Sequence, residues 1–516
     1  MKIKMGGNKM LSKVKACILQ GLEGCIIDVE TDLSSGLPSF NIVGLADTSI
    51  KEAKERVRSS IKNSQFKFPV SRITVNLAPA NLKKEGSQMD LPIAVGILSA
   101  SKVIKNEIES ICFIGELSLD GKIIKIDGAL PLVISLRNNN IKKVVIPEEN
   151  KEECGVIDNI DIIPIKSLNE LVDYLNAEID VPSYKSTYED YFSDFKHAED
   201  FSDIKGQAAL KRAIEIAAAG GHNLLMLGPP GSGKTMVARR IPSILPDLSF
   251  EESLEVTKIY SIYGQINETG LIKKRPFRSP HHTISRAALA GGGKATKPGE
   301  VSLSHHGVLF LDEMPEFPKS VLEILRQPME DGAISIARAN NSYRYPARFM
   351  LIGSMNPCPC GFLGDSKHEC SCNQGQINKY LSKISGPLLD RMDIQIEVSP
   401  VYYDDLNSKT EGESSKEIKE RVLKARKIQL ERYKDLDIYT NSQLSPKQLD
   451  KYCKIDKESQ ELLKLAFDNL GLSARAYSKI LKVARTIADL EGNENIMQKH
   501  IAEAIQYRSL DRKYWG

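Results

Sequence analysis

The sequence predicts an α/β protein. Its centre is a parallel sheet with helices on both faces, preceded by an α+β region and followed by a helical one. Three observations carry this reading. A glycine-rich loop stands between an apolar run and a helix start within Asn223–Ile241. A second apolar run ends in two acids, Asp312 and Glu313. The pattern from residue 415 onward is mostly helical, over Lys416–Tyr433, Lys457–Asn469, Ala474–Leu490 and Gln498–Tyr507.

The loop Gly228-Pro229-Pro230-Gly231-Ser232-Gly233-Lys234-Thr235 satisfies G-x-x-x-x-G-K-[ST], the phosphate-binding pattern. Asn223–Leu227 before it reads as a buried strand, and Met236–Ile241 after it as a helix start. Its glycines let backbone N–H groups turn inward around phosphate oxygens, and the helix N-terminus adds partial positive charge. Lys234 is expected to reach the β- and γ-phosphates, and the Thr235 hydroxyl to ligate Mg²⁺.

Gly307–Glu313 has the form of a central parallel strand buried on both faces. Ligands of open α/β sheets bind at such carboxyl ends. Asp312 is expected to hold Mg²⁺ through water, and Glu313 to polarise the attacking water. A third run, Phe349–Ser354, leads into Met355 and Asn356. A polar side chain there orients the water or senses the γ-phosphate.

Composition sets the frame. A chain of 516 residues, 41% hydrophobic and 27% charged, suits a globular protein of about three domains. A net charge of +3 leaves any DNA contact to local patches. The N-terminal apolar stretch Ala16–Leu19 is too short for a secretory signal, and no apolar run reaches the roughly 18 residues of a membrane span. The nine cysteines are an odd number without a secretory signal, so the reducing cytosol is the expected compartment.

Residues 1–182 mix strand-like runs (Ile73–Leu77, Ile111–Leu119, Lys143–Ile146) with helical patterns at Ile50–Asn63 and Ile93–Ala100. Residues 183–200 are polar and acidic, a linker signature. Residues 201–398 hold the nucleotide motifs, and 399–516 form the helical lid, with Ser473 as N-cap of Ala474–Leu490.

The order of phosphate loop, acidic strand, polar strand end and helices is that of AAA+ motors. Phe310–Phe317, Met355–Gly361 and Ser385–Arg391, with the phosphate loop, resemble the magnesium-chelatase-like AAA+ proteins of the ComM (YifB) type. The resemblance covers essentially the whole chain. It implies an ATPase that assembles into a hexameric ring, with ATP and Mg²⁺ as cofactors. Its implied task is branch migration or helicase action on single-stranded or branched DNA in recombination, notably natural transformation, with recombination proteins as further partners and no membrane. The alternative is a remodelling motor without a DNA role, magnesium-chelatase-like or MoxR-like. By the same resemblance Asn356 matches the sensor-1 position and Arg391 the arginine finger that acts on a neighbour's ATP. Arg475 matches sensor 2, with Arg485 as the alternative. Met10–Val14 resembles the family's usual beginning, which makes residues 1–9 a dispensable extension.

The N-terminal region is similar to a Lon-protease-type domain of ribosomal-S5-like fold. Ile93 falls where the Ser nucleophile belongs, and Leu130 or Pro131 near the Lys position. Aliphatic side chains neither attack a carbonyl nor accept a proton, so no protease activity is expected. Ser87 with Lys83 or Lys84 is a different pair to consider.

Cys358, Cys360, Cys370 and Cys372 fall within 15 residues and can wrap one tetrahedral Zn²⁺, with His368 as a spare ligand. The histidine pairs His281/His282 and His305/His306 read as hydrogen-bonded loop residues. Two basic segments are candidates for DNA. One carries Lys273, Lys274, Arg275 and Arg278, followed by Arg286 and Lys294. The other is a β-hairpin over Ala333–Arg348, punctuated by Arg338, Arg344 and Arg348. Such side chains track a phosphate backbone without reading sequence.

Overall fold

The computed structural model describes residues 10–515 except 85, 188–198, 267–269, 294–295, 339–340, 366–367, 401–411 and 471. The chain divides at 194, 249 and 272 into two compact units, and the segment Phe250–Ile272 belongs to the first.

The first unit is built on seven strands: β1 (Met10–Gln20), β2 (Glu23–Ser34), β3 (Ser39–Val43), β4 (Arg72–Ala78), β5 (Ile111–Phe113), β8 (Lys143–Pro147) and β9 (Asp161–Ile165). They form one sheet of order β3-β4-β2-β1-β5-β8-β9, and β6 (Glu116–Leu117) and β7 (Ile123–Ile124) form a small separate hairpin. β1 and β2 pair antiparallel along their full length, with Val14 opposite Val29. The period of two sends Val14, Ala16 and Ile18 into one core and Cys17 into the other. The first face is covered by the helices Thr48–Asn63 and Asp90–Ala100. The second is covered by Ala129–Asn138, backed by Phe250, Leu254 and Leu271 of the inserted segment.

Phe250–Ile272, which falls inside the stretch 201–398 expected to hold the nucleotide motifs, groups with the first unit. The helix Phe250–Tyr263 is stitched into the first unit by Ser261 Oγ donating to buried Glu153 (2.7 Å) and by Gly128 N–H donating to the Ser261 carbonyl (3.0 Å). Ile111–Leu119 is not one strand. After Phe113 the chain leaves the sheet, and the Gly115 carbonyl accepts from Leu91 N–H (3.2 Å) at the start of Asp90–Ala100. The edges of the expected linker are anchored as well. Tyr184 N–H donates to Ile162 O (2.8 Å), and Asp200 caps the turn Phe201–Asp203. The rest of that stretch and residues 1–9 lie outside the described residues.

The second unit holds five strands: β10 (Leu224–Leu227), β11 (Phe277–Arg278), β14 (Val308–Leu311), β17 (Met350–Met355) and β18 (Ile394–Glu397). Their order in the sheet is β11-β14-β17-β10-β18, and every pairing is parallel. The four residues of β10, the four of β14 and all six of β17 are buried, as two helix-covered faces require. Two hairpins extend from this unit, β12–β13 (Gly291–Gly292 with Lys297–Pro298) and β15–β16 (Ala333–Arg338 with Asn341–Pro346). The C-terminal helices Ser415–Arg432, Ala474–Leu490 and Gln498–Gln506 share one hydrophobic core with the sheet. Ser473 caps the second of them by accepting from Ala476 N–H (3.2 Å). Among the described residues no helix is long and apolar enough to cross a membrane.

Candidate nucleotide-hydrolysis site

Strand order brings the sequence motifs together. β17 lies between β14 and β10, with Leu227 beside Met355 and Leu311 beside Gly353. The phosphate loop, Asp312-Glu313 and Asn356 therefore leave the sheet from neighbouring carboxyl ends. The loop is tied to that edge where Gly228 N–H donates to Met355 O (3.2 Å). Gly231 (φ 76°) and Gly233 (φ 84°) turn the backbone through the left-handed region, which an L side chain resists. The helix Lys234–Ile244 starts immediately afterwards, so its unpaired N–H groups face the loop.

Lys234 is buried, and its Nζ donates to the carbonyls of Gly228 (2.7 Å) and Pro229 (2.8 Å), to Ser232 Oγ (3.3 Å) and to Asn356 Oδ1 (3.4 Å). Burial pulls its pKa from 10.5 to about 8, against the opposing pull of Asp312 and Glu313. Thr235 Oγ1 donates to Asp312 Oδ2 at 2.7 Å. A hydroxyl and a carboxylate at this spacing are hard oxygen donors, which suits Mg²⁺.

Ser354 joins the site without a motif to announce it. Its Oγ donates to Asp312 and accepts from Glu313 N–H (3.2 Å). Glu313 sits at φ 51°, so this bond and that from its N–H to Asp312 Oδ1 (3.1 Å) hold a backbone turn that is otherwise disfavoured. The signal for it in the sequence is a serine inside a wholly buried strand. His282, read as a loop residue, lies 4.0 Å from the Glu313 carboxylate, with its ring tilted 34° against that of His281.

This chain matches three family models. Magnesium chelatase, subunit ChlI, matches residues 200–406; subunit ChlI of Mg-chelatase, residues 29–150; and the ChlI C-terminal model, residues 412–508. It is 43% identical to competence protein ComM of Haemophilus influenzae over 95% of this chain and 96% of that protein. The identity to YifB of Escherichia coli is 41%, over 97% and 98% respectively. The chain belongs to the ComM/YifB family. A more distant similarity, 25% over 58% of this chain, links it to the magnesium-chelatase 38 kDa subunit of Rhodobacter capsulatus. The fold is thus that of a magnesium-chelatase-type AAA+ protein, a parallel sheet with helices and a C-terminal helical region.

The arginines expected from ComM/YifB proteins have different surroundings. Arg391 donates to Pro387 O (2.6 Å) and to the Glu330 carboxylate. The acids beside it are paired elsewhere, Asp390 with Arg475 (3.3 Å) and Asp393 with Lys479 (3.0 Å). Arg485 is 3% exposed and committed to Asp489 (3.1 Å) and two backbone carbonyls. Arg475 is 61% exposed near the start of its helix, which leaves it as the arginine with an accessible head.

The four cysteines expected as ligands converge, with all Sγ atoms within 4.8 Å of one another. The thiols titrate together: the backbone N–H of Phe362 lowers the Cys360 thiol, while its sulfur neighbours raise Cys370 and Cys372. His368 is not among the converging ligands; its backbone N–H donates to Asp365 Oδ1 (2.9 Å), and its Nδ1 lies 3.4 Å from the same oxygen. All nine cysteines are free thiols; of the scattered five, Cys17, Cys112, Cys154 and Cys453 are buried.

The first basic segment is largely occupied. Arg278 forms a two-pronged ion pair with Glu300 (2.6 and 2.7 Å), and Arg275 donates to the carbonyls of Pro246 (2.6 Å) and His306 (2.8 Å). Burial lowers the pKa of Lys273, and Lys274 is exposed. On the hairpin, Arg344 is exposed. Arg338 is the last residue of β15. Buried Tyr345 ties this hairpin to the other by donating to Thr296 O (2.8 Å). Lys294 lies outside the described residues.

In the first unit Ile93, Leu130 and Pro131 are buried within helices. Lys84 Nζ donates to Pro79 O and Ser87 Oγ to Glu116, so each of that pair has its own partner. A cavity of about 400 Å³, with no phosphate-loop residue in its lining, carries Lys205, Lys211, Arg212 and Arg421 against Glu215 and Glu413; Glu215 pairs with both arginines and Glu413 with Arg421.

Proposed function

We propose that this protein is an ATP-driven, ring-forming motor that moves branched or single-stranded DNA during homologous recombination in the cytoplasm. The observation that supports it best is the 43% identity to competence protein ComM over nearly the whole of both chains, joined to the convergence of Lys234, Asp312, Glu313 and Asn356 on adjacent strand ends. In this reading Lys234 and the loop N–H groups bind the phosphates of ATP, and Thr235 and Asp312 hold Mg²⁺. The ion neutralises charge on the transferred phosphoryl group. Glu313 takes the proton of the attacking water, Asn356 orients that water, and Arg391 serves the neighbouring subunit's ATP. Arg475 on the lid senses the nucleotide. The first unit is a Lon-type domain without protease chemistry, and Cys358, Cys360, Cys370 and Cys372 hold a structural zinc ion. Arg344 and Arg338 on the hairpin, with Lys274 beside them in role, grip the DNA backbone.

The similarity to a magnesium-chelatase subunit favours a second reading, a remodelling motor without DNA. The deciding experiment compares ATPase rates with no DNA and with single-stranded, duplex and four-way-junction DNA, and follows junction conversion. Stimulation with ATP-dependent conversion supports the first reading. A well-assembled protein that ignores every DNA form supports the second.

A further inference from the structure

The thiol cluster has the metric of one tetrahedral ion. Sγ separations are 3.4 Å for Cys358–Cys360, and 3.6 Å for both Cys358–Cys370 and Cys360–Cys370. A zinc ion with Zn–S bonds of about 2.3 Å spaces its sulfurs about 3.8 Å apart along each tetrahedral edge. These separations are far longer than a disulfide of about 2.05 Å. An iron–sulfur cluster spreads its four cysteine sulfurs over two or more irons, wider than the 4.8 Å that contains all four here.

The cluster also touches the nucleotide loop. Cys358 is fully buried two residues beyond Asn356, whose Oδ1 meets Lys234. Gly361 packs directly on the phosphate loop, where a Cβ would come within 2.6 Å of Pro230 Cδ. The helix Gln374–Leu381 that follows the cysteines returns to the same place, since the Asn356 backbone lies close enough to the Tyr380 hydroxyl to favour its ionised form. One knuckle therefore fixes both Asn356 and one wall of the phosphate loop.

We infer that a zinc ion on Cys358, Cys360, Cys370 and Cys372 braces the nucleotide pocket, so that ATP affinity depends on metal occupancy. This rests on the zinc reading and is independent of any role in DNA. The chain purified without added zinc should carry about one equivalent, and Cys370→Ser/Cys372→Ser should lose it. Stripping wild type with a mercurial, then restoring thiols and zinc, should weaken ATP binding at least fivefold and then recover it. Gly361→Ala should keep its zinc yet bind ATP severalfold more weakly, because the added methyl presses on Pro230 and the φ of 88° resists an L side chain, both of which shift this contact with the phosphate loop. Elemental analysis and nucleotide titration, with circular dichroism as the folding control, read all of this. A metal-free, folded wild type overturns the zinc site and the brace together. Zinc that leaves without any change in ATP affinity overturns the brace alone, and so does a Gly361→Ala protein with normal affinity. If the double variant is unfolded, the strip-and-restore experiment on wild type decides.

Discussion

Thr235 Oγ1 and Asp312 Oδ2 lie 2.7 Å apart although 77 residues separate them in the chain. Their contact places a helix start and a strand end around one small volume of oxygen donors. Asp312→Asn weakens that donor set, and the expected result is ATP hydrolysis that needs much higher Mg²⁺. Lys234→Ala should remove nucleotide binding. Glu313→Gln should bind ATP normally but turn over about 10²–10⁴ times more slowly, the usual share of a positioned base. Titrations and steady-state rates separate the three variants; ordinary turnover in Glu313→Gln would remove Glu313 from its role.

The buried ammonium gives a pH dependence with a definite sign. Lys234 in the fold has a pKa of about 8, below its ordinary 10.5. Between those values the unfolded chain binds more protons, so this group's contribution to stability rises with pH across that window. Phosphates favour the charged form and draw the proton back. ATP binding at pH 8.5 should therefore take up protons, and affinity should fall as pH rises past 8. Calorimetry in two buffers of different ionisation enthalpy measures the uptake; identical heats in both would contradict it.

Local features are legible in the sequence because each rests on fixed spacing: the strand-to-helix turn at G-x-x-x-x-G-K-T, the acids ending a buried run, and the Ser473 cap before a helical period. Long-range features are not. Much of the β1–β2 hairpin alternates buried residues with Lys13, Lys15, Asp28 and Glu30, and its apolar stretch Ala16–Leu19 covers only part of β1. Nothing local in Phe250–Ile272 says which unit it joins, because its anchors are Glu153 and Gly128. Arg278 reads as a free basic residue until Glu300, 22 positions away, arrives beside it. The convergence of the cysteines is readable from their number and closeness, whereas their packing on the phosphate loop is not.

Arg391 is held by Glu330 within its own subunit. For it to serve a neighbour, that pair must open or rotate on assembly. Arg391→Ala should keep ATP affinity and lose roughly 10³-fold in turnover, at the low end for an arginine finger. Mixing it with Lys234→Ala subunits should restore part of the rate at mixed interfaces. Absence of recovery at every ratio, with co-assembly demonstrated, would count against action across subunits.

The first unit carries its own test. Arg56 makes a two-pronged pair with buried Asp90 (2.6 and 3.0 Å), whose pKa burial nonetheless raises from 3.8 to about 6. The folded state thus binds the extra proton between those values, and this group's contribution to stability falls as pH rises through them. Arg56→Ala should cost roughly 3 kcal/mol at pH 8, because it leaves a buried carboxylate unpaired. The loss should shrink toward pH 5.5 as Asp90 takes up a proton, and Asp90→Asn should relieve it at pH 8. Urea melts of the full chain at both pH values report the difference; a deficit independent of pH would mean that Asp90 is not the group responsible.

The basic segments predict unequal effects on DNA. Arg278→Ala removes the partner of partly buried Glu300, so its main expected effect is lower stability, about 1–3 kcal/mol. Arg344 is exposed on β16, opposite Ser335, and is the side chain to change for DNA. Arg344→Ala should keep basal ATPase and reduce its stimulation by single-stranded DNA. For every phosphate that the variant no longer neutralises, the plot of log affinity against log salt should flatten by about 0.7 for single strands. Fluorescence anisotropy across a salt series, run beside thermal melts, distinguishes the two arginines. Equal salt slopes for wild type and Arg344→Ala, with DNA stimulation intact, would take the hairpin out of the DNA path.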